Sequence, residues 1–204
     1  MDIILSSISQ GLLWSVMAIG VYLTFRILDI ADMTAEGSYP LGAAVCATGI
    51  VNGLNPLLAT FLAMIAGMGA GLISGLLHTK LKIPALLTGI VTLTGLYSIN
   101  LKILGKANVA LLKQETLVTQ LQDFGLAKTN AVLVIGIIFV LAVVGVLTLL
   151  LNTQIGLAIR STGDNIPMSE ANGINVDRMK IYGYMISNGL IALCGALLTQ
   201  NNGY

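Results

Sequence analysis

Residues 131–151 read Ala-Val-Leu-Val-Ile-Gly-Ile-Ile-Phe-Val-Leu-Ala-Val-Val-Gly-Val-Leu-Thr-Leu-Leu-Leu, a run that carries no charge. A helix of about 20 apolar residues crosses the hydrocarbon layer of a bilayer. The run is therefore read as a membrane-crossing helix. Similar runs at 3–25, 37–51, 56–77, 83–103 and 181–198 bring the expectation to about six spans. Composition agrees, with 56% of residues hydrophobic and 9% charged, against roughly 25% charged in soluble domains. The expected fold class is all-α, a polytopic membrane helical bundle, with 1–204 forming a single transmembrane domain. The run at 37–51 is short and opens on Gly37-Ser38-Tyr39-Pro40. That leaves a broken or re-entrant segment open, which is tolerated only where protein or a cavity surrounds it.

Beyond the opening run lies the polar stretch 152–180. Gly156 opens it, and Arg160 sits just past the span, where a cation faces cytoplasmic headgroups. Asp164 or Asn165 can accept a hydrogen bond from the free N–H groups of a new helix, and Pro167 in its first turn lacks only an N–H that had no partner there. Asn172-Gly173 supplies a left-handed stop. The result is a short helix, Ile166 to Ala171, outside the lipid. It either engages another protein or is an ordinary capped interfacial helix.

If the spans alternate, Arg26, Lys80, Lys82, Arg160, Arg178 and Lys180 fall on one side, which the positive-inside bias makes cytoplasmic. The other side receives Lys102, Lys106, Lys113 and Lys128, partly balanced by Glu115 and Asp123, and the N-terminus with Asp2. Asp2 stands where a cleavable signal would carry basic residues, so the first run is expected to span and remain.

Within the membrane, Gly67, Gly71 and Gly75 recur on one face of the third span, which allows another backbone to approach closely. Thr88, Thr92 and Gly95 form a similar stripe on the fourth, with Tyr97, Ser98 and Asn100 at its outer end; local carbonyls or a transported solute could satisfy these groups. On a continuous helix Asp29, Asp32 and Glu36 share a sector of roughly 60°. Too costly to face lipid, they face water, a cavity or a partner, or else join Arg26 in an ion-pair network. His78, the only histidine, is expected in a solvated loop, and Cys46 and Cys194 read as buried free thiols.

Catalytic constellations are missing. A single histidine supplies no paired-His metal motif, and there is no Gly-x-Ser-x-Gly elbow or phosphate loop. No cofactor is expected. A net charge of +1 without a basic run gives no reason to expect nucleic acid.

Three segments stand out together: the stretch from Ile27-Leu-Asp-Ile-Ala-Asp32 to Glu36-Gly-Ser-Tyr-Pro-Leu-Gly-Ala-Ala44, then Lys82-Ile-Pro-Ala-Leu-Leu-Thr-Gly-Ile-Val-Thr-Leu-Thr94, and Gly156-Leu-Ala-Ile-Arg-Ser-Thr-Gly-Asp-Asn165 with Ala171-Asn-Gly-Ile-Asn-Val176. In these segments the chain resembles the membrane permease subunits of ATP-binding-cassette (ABC) importers of the branched-chain amino-acid and ribose type. The last is similar to the family's cytoplasmic coupling loop in order, spacing and position before a span. The resemblance implies two permease chains in the cell membrane forming a path for a small polar solute, an amino acid or related compound. ABC ATPase subunits would dock beneath, and an extracellular substrate-binding protein or lipoprotein would deliver from above. ATP hydrolysis would then belong to another chain. Coupling is expected at Gly156, Arg160, Gly163, Asp164, Asn165, Pro167, Ala171 and Gly173, and the pathway at Asp29, Asp32, Glu36, Tyr39, Thr92 and Asn100. Family members usually run further, so a truncated or incomplete chain is expected. The alternatives are a secondary transporter or channel acting without an ATPase, which internal symmetry between the halves would favour, and a purely structural membrane subunit.

Overall fold

Apolar length becomes helix along the chain. The computed structural model describes residues 2–105, 109, 111, 114–123 and 127–203. Lys106 and Lys113, and the side chains of Asp2 and Asp123, all used in the charge argument above, lie outside the described residues. Helix α1 (Asp2–Tyr22) runs into a π turn (Leu23–Ile27), followed by α2 (Ala35–Val51), α3 (Pro56–Thr79), α4 (Ala85–Leu104), α5 (Leu117–Asp123), α6 (Lys128–Leu151), α7 (Gln154–Asp164), α8 (Ile166–Ala171) and α9 (Val176–Asn202). Five segments, Ile4–Ile27, Pro56–Thr79, Ala85–Leu104, Lys128–Leu151 and Val176–Asn202, are long and apolar enough to cross a membrane.

The break left open for the second run is not there. Helix α2 continues through Pro40 for 17 residues, or about 25 Å, packed against α3, α4 and α9. Pro40 sits near the start of the helix, where its ring removes one N–H and disturbs only the carbonyl of Glu36 in the first turn.

Helix α9 is the axis of the bundle, buried without interruption from 187 to 200. Lipid tails are as apolar as leucine, so helices in a bilayer associate through close packing and hydrogen bonds. The glycines of α3 provide the close packing. A Cβ at Gly67 would lie 2.5 Å from Asn188 O, one at Gly71 2.7 Å from the Tyr184 carbonyl carbon, and one at Gly75 3.1 Å from Ile181 Cα. The partner numbers fall as the glycine numbers rise, so α3 and α9 are antiparallel. On α2, a Cβ at Gly42 would collide with the carbonyl of Ala192. On α1, the Cys194 thiol donates to Leu13 O at 3.2 Å.

At the end of α9 remote from α7, the Gln200 side chain gathers three elements. Its Nε2 donates to Thr60 Oγ1 at 2.7 Å and Cys46 Sγ at 3.2 Å, and its Oε1 accepts the Leu117 N–H at 3.0 Å. Leu117 opens α5, so this buried amide ties the α4–α6 connection onto the bundle. Both cysteines are buried and free.

The glycine contacts make opposite predictions for two neighbouring positions. Gly71→Ala places a methyl group against backbone that cannot rotate away and should destabilise the bundle by about 2 kcal/mol, within the usual cost of overpacking. Gly69→Ala meets nothing within 4 Å and should stabilise α3 by about 0.5–1 kcal/mol. Reversible unfolding in mixed micelles measures both. Equal effects at the two sites would show that the α3–α9 contact is not the constraint described.

Candidate functional site

Two adjoining structures occupy the end of the bundle where α1 finishes and α9 begins. The first is the α7–α8 segment. Thr153 caps α7, its hydroxyl accepting the Gly156 N–H at 3.3 Å. Gly156, Ile159 and Thr162 recur every third residue and are the buried face of α7. Gly156 lets α7 sit against the last turn of α6, Ile159 enters the main core, and Gly163 presses on the π turn, where a Cβ would lie 2.8 Å from the Ile27 carbonyl carbon and 3.0 Å from Leu28 Cα. Ile155, Leu157 and Arg160 remain exposed on α7.

Asn165 then turns the chain. Extended at φ −156°, ψ 103°, it accepts the Met168 N–H on Oδ1 at 3.0 Å and so caps α8, while Asp164 is the exposed last residue of α7. Gly173, at φ +76°, donates to Glu170 O at 2.9 Å, and Ile174 N–H reaches Ser169 O at 3.0 Å, closing the helix. Asn175 caps α9 by accepting the Arg178 N–H at 3.1 Å. The six-residue α8 thus has both ends fixed. It buries only Ser169 and exposes Ile166, Pro167, Met168 and Ala171.

The second structure is the connector 28–34 and the polar group it enters. Ile30 N–H bonds to Thr24 O at 2.9 Å across the π turn, and Asp29 is left-handed at φ +54°, a conformation unusual outside glycine. Asp32, 2% exposed, accepts the Thr34 N–H on Oδ1 at 2.8 Å and the Asn188 amide on Oδ2 at 2.7 Å. Asn188 Oδ1 in turn accepts from Ser38 Oγ at 2.6 Å. Thr34 Oγ1 lies 2.5 Å from Ser74 Oγ, which is 3.1 Å from Thr92 Oγ1. One hydrogen-bonded group therefore joins the connector, α2, α3, α4 and α9. A buried carboxylate is costly unless its oxygens are engaged, and here protein donors engage both.

Comparison with known proteins assigns the chain. The family model described as branched-chain amino acid transport system / permease component matches residues 3–204. The chain belongs to this permease family. It is 43% identical over 201 residues to the tyrosine transport system permease protein of Clostridioides difficile (strain R20291), covering 98% of this chain and 65% of that protein. It is 34% identical to the uncharacterized protein RP368 of Rickettsia prowazekii (strain Madrid E), over 100% of this chain and 70% of that one. It is 29% identical to the autoinducer 2 import system permease protein LsrC of Yersinia enterocolitica, over 98% and 53%. The chain thus spans somewhat more than half to about two thirds of the length of these relatives. No solved structure gives a significant match.

In this permease-family chain the expected acidic sector does not form. The helix ends in the π turn before Asp29, so Asp29 and Glu36 are exposed while Asp32 is buried. Arg26 makes no ion pair with them; among the described residues the ion pair is Lys80–Asp177, at 3.7 Å. Thr92 is buried in the polar group, and Asn100 is buried on the same face of α4 with Oδ1 unpartnered. Tyr39 stacks on Trp14 with ring centroids 5.6 Å apart. Of the rest of the fourth-span stripe, Thr88 is buried, whereas Gly95, Tyr97 and Ser98 are exposed. His78 is not a loop residue. It lies in the last turn of α3, half-buried, with Nδ1 2.8 Å from Ile83 O and its ring 6.0 Å from that of Tyr184. The stretch around Gly156 and Arg160, expected as part of a compact polar loop, is the helix α7. Sequence reasoning missed Asn188, Ser38, Ser74 and Thr34. A lone Asn within the apolar run 181–198 was the available signal.

Capping gives the local prediction. Asn165→Ala removes the acceptor for the Met168 N–H and should cost α8 about 1 kcal/mol, seen as faster amide exchange at 166–171 with α9 unchanged. Unchanged exchange in α8 would mean that the cap does not hold it.

Proposed function

We propose that this chain is the permease subunit of an ABC importer, forming the translocation path for a small polar solute, an amino acid or related compound. The observation that carries the reading is α8: a short helix fixed at both ends, exposing Ile166 and Met168, set at one end of a bundle of the permease family. An apolar patch held rigidly outside the spans suits a protein partner, since a preformed surface loses little entropy on docking. That partner is an ABC ATPase subunit, and hydrolysis takes place there. The α7–α8 end faces the cytoplasm, in keeping with Arg26, Lys80, Lys82, Arg160, Arg178 and Lys180 around it. A second permease chain completes the path, and an extracellular binding protein or lipoprotein supplies the solute. The name of the Clostridioides difficile relative makes tyrosine the first solute to try.

The coupling residues divide by task in this reading. Gly156 and Gly163 seat α7 on α6 and the π turn, Asn165, Pro167 and Gly173 shape α8, and Arg160, Asp164 and Ala171 belong to the exposed surface that meets the ATPase. Among the pathway residues, exposed Asp29 and Glu36 are available to solute or a second chain.

The test is assembly with the ATPase in proteoliposomes. Met168→Asp and Glu170→Arg should each weaken ATPase binding about tenfold or more, as for a central contact residue, and lower L-tyrosine uptake with it, while insertion of the spans stays intact. A cysteine at position 168 should be shielded from an impermeant reagent in intact cells. Parental binding and uptake by the double variant, or labelling from outside, would overturn the assignment.

A further inference from the structure

We propose that the connector 28–34 transmits movement of α7–α8 to α2 and α9, with Asp32 as its positioning residue; the inference rests on the proposed function above. Both ends of the connector are held at unusually short range. On the α7 side Gly163 lies directly against Ile27 and Leu28, and on the α9 side Gly183 admits the Leu28 side chain where a Cβ would collide with it. A third glycine, Gly89 on α4, approaches the far end, where a Cβ would lie 2.7 Å from Met33 N. At Gly163 and Gly89 the glycine meets backbone, which has no rotamer to absorb a displacement, so a shift of α7 is passed on at Leu28 rather than dissipated, while the Leu28 side chain fills the space at Gly183.

Around the first of these contacts the chain is built to bend. The π turn and the left-handed Asp29 interrupt helical hydrogen bonding between α1 and α2, and π turns are frequent at functional sites. A cavity of about 230 Å³ borders the bend, lined by Leu28, Asp29, Ala31, Thr162, Gly163 and Lys180 among others, and gives the connector room to swing. Past the bend the chain is rigid again. Asp32 binds Thr34 N–H and Asn188, and Asn188 binds Ser38, so the carboxylate fixes the start of α2 to the middle of α9. Displacement entering at Leu28 therefore leaves through Asp32.

The experiment uses the full chain assembled with its ATPase in nanodiscs, spin-labelled at cysteines replacing Arg26 and Asn52, both exposed and at opposite ends of the connector–α2 unit. Native Cys46 and Cys194 are buried and do not compete. Nucleotide binding should change the 26–52 distance in the parental chain, and Asp32→Ala should abolish the change while leaving ATPase binding intact. Solute transported per ATP should fall at least about fivefold, the lower end of usual coupling. Asp32→Asn combined with Asn188→Asp restores one carboxylate and one amide and should restore coupling to within about twofold, which general destabilisation would not do. Gly163→Ala should shift the distance without nucleotide. A parental chain that binds no ATPase overturns the proposed function and this inference together. A bound ATPase with no nucleotide-dependent distance change, or with the change intact in Asp32→Ala, overturns the inference alone.

Discussion

The backbone contact between α3 and α9 is what the bundle rests on. In water, burying leucine against leucine drives association; in a bilayer both partners already sit among hydrocarbon, so what remains is dispersion at short range and the occasional hydrogen bond. Gly67, Gly71 and Gly75 bring the α3 axis close enough for backbone atoms of Asn188, Tyr184 and Ile181 to lie where side chains would otherwise stand. Once α3 and α9 are that close, α2 has to cross α9 through its own glycine, Gly42, and α1 has to pack on the remaining face. The exposed leucines and isoleucines of α3, α4 and α6 are the lipid-facing complement of this arrangement.

Close approach also makes the polar group possible. Ser38, Ser74, Thr34 and Thr92 have short side chains, and they meet only because the helices carrying them are drawn together. Asp32 and Asn188 then set the register: a carboxylate and an amide pair in few geometries, whereas apolar faces slide. The glycines supply proximity and the polar residues supply uniqueness, and neither would hold the other's role. Surface charge adds little, since both members of the Lys80–Asp177 pair are substantially exposed.

The sequence made some of this readable and hid the rest for identifiable reasons. Most of the apolar runs and the α3 glycine stripe could be read because each depends on a periodicity or a length that one helix imposes on itself; the count of about six spans exceeds the five helices long and apolar enough to cross, since α2 has only 17 residues. Gly173 was readable because a left-handed stop is a local requirement. The acidic sector failed because its argument assumed a helix continuous from Arg26 to Glu36, and nothing in residues 23–29 announces a π turn followed by a left-handed aspartate; the turn and Leu28 pack on Gly163 and Gly183, far away in sequence. His78 was misplaced for a similar reason: neighbouring lysines read as solvated loop, yet α3 extends to Thr79 and the ring lies within 6.0 Å of that of Tyr184. The Asp32–Asn188 pair joins positions 156 apart in sequence, beyond any spacing rule.

The placement of these features on α9 has a mechanical consequence. Gln200 binds α2, α3 and α5 near one end of α9, Asn188 binds α2 and the connector near its middle, and the residues between are wholly buried. A helix gripped at two levels by hydrogen bonds, with glycines of three other helices pressed against its backbone, tilts only together with the helices it holds. Displacement that reaches α9 is therefore shared by α2 and α3, while α4 and the α7–α8 segment, each with one buried face, are held less tightly. The bend touches α7 at Gly163 and α9 at Gly183, beside the contacts that α7 makes with α9 directly, so the residues from Ile27 to Asp32 sit where the segment meets the axis.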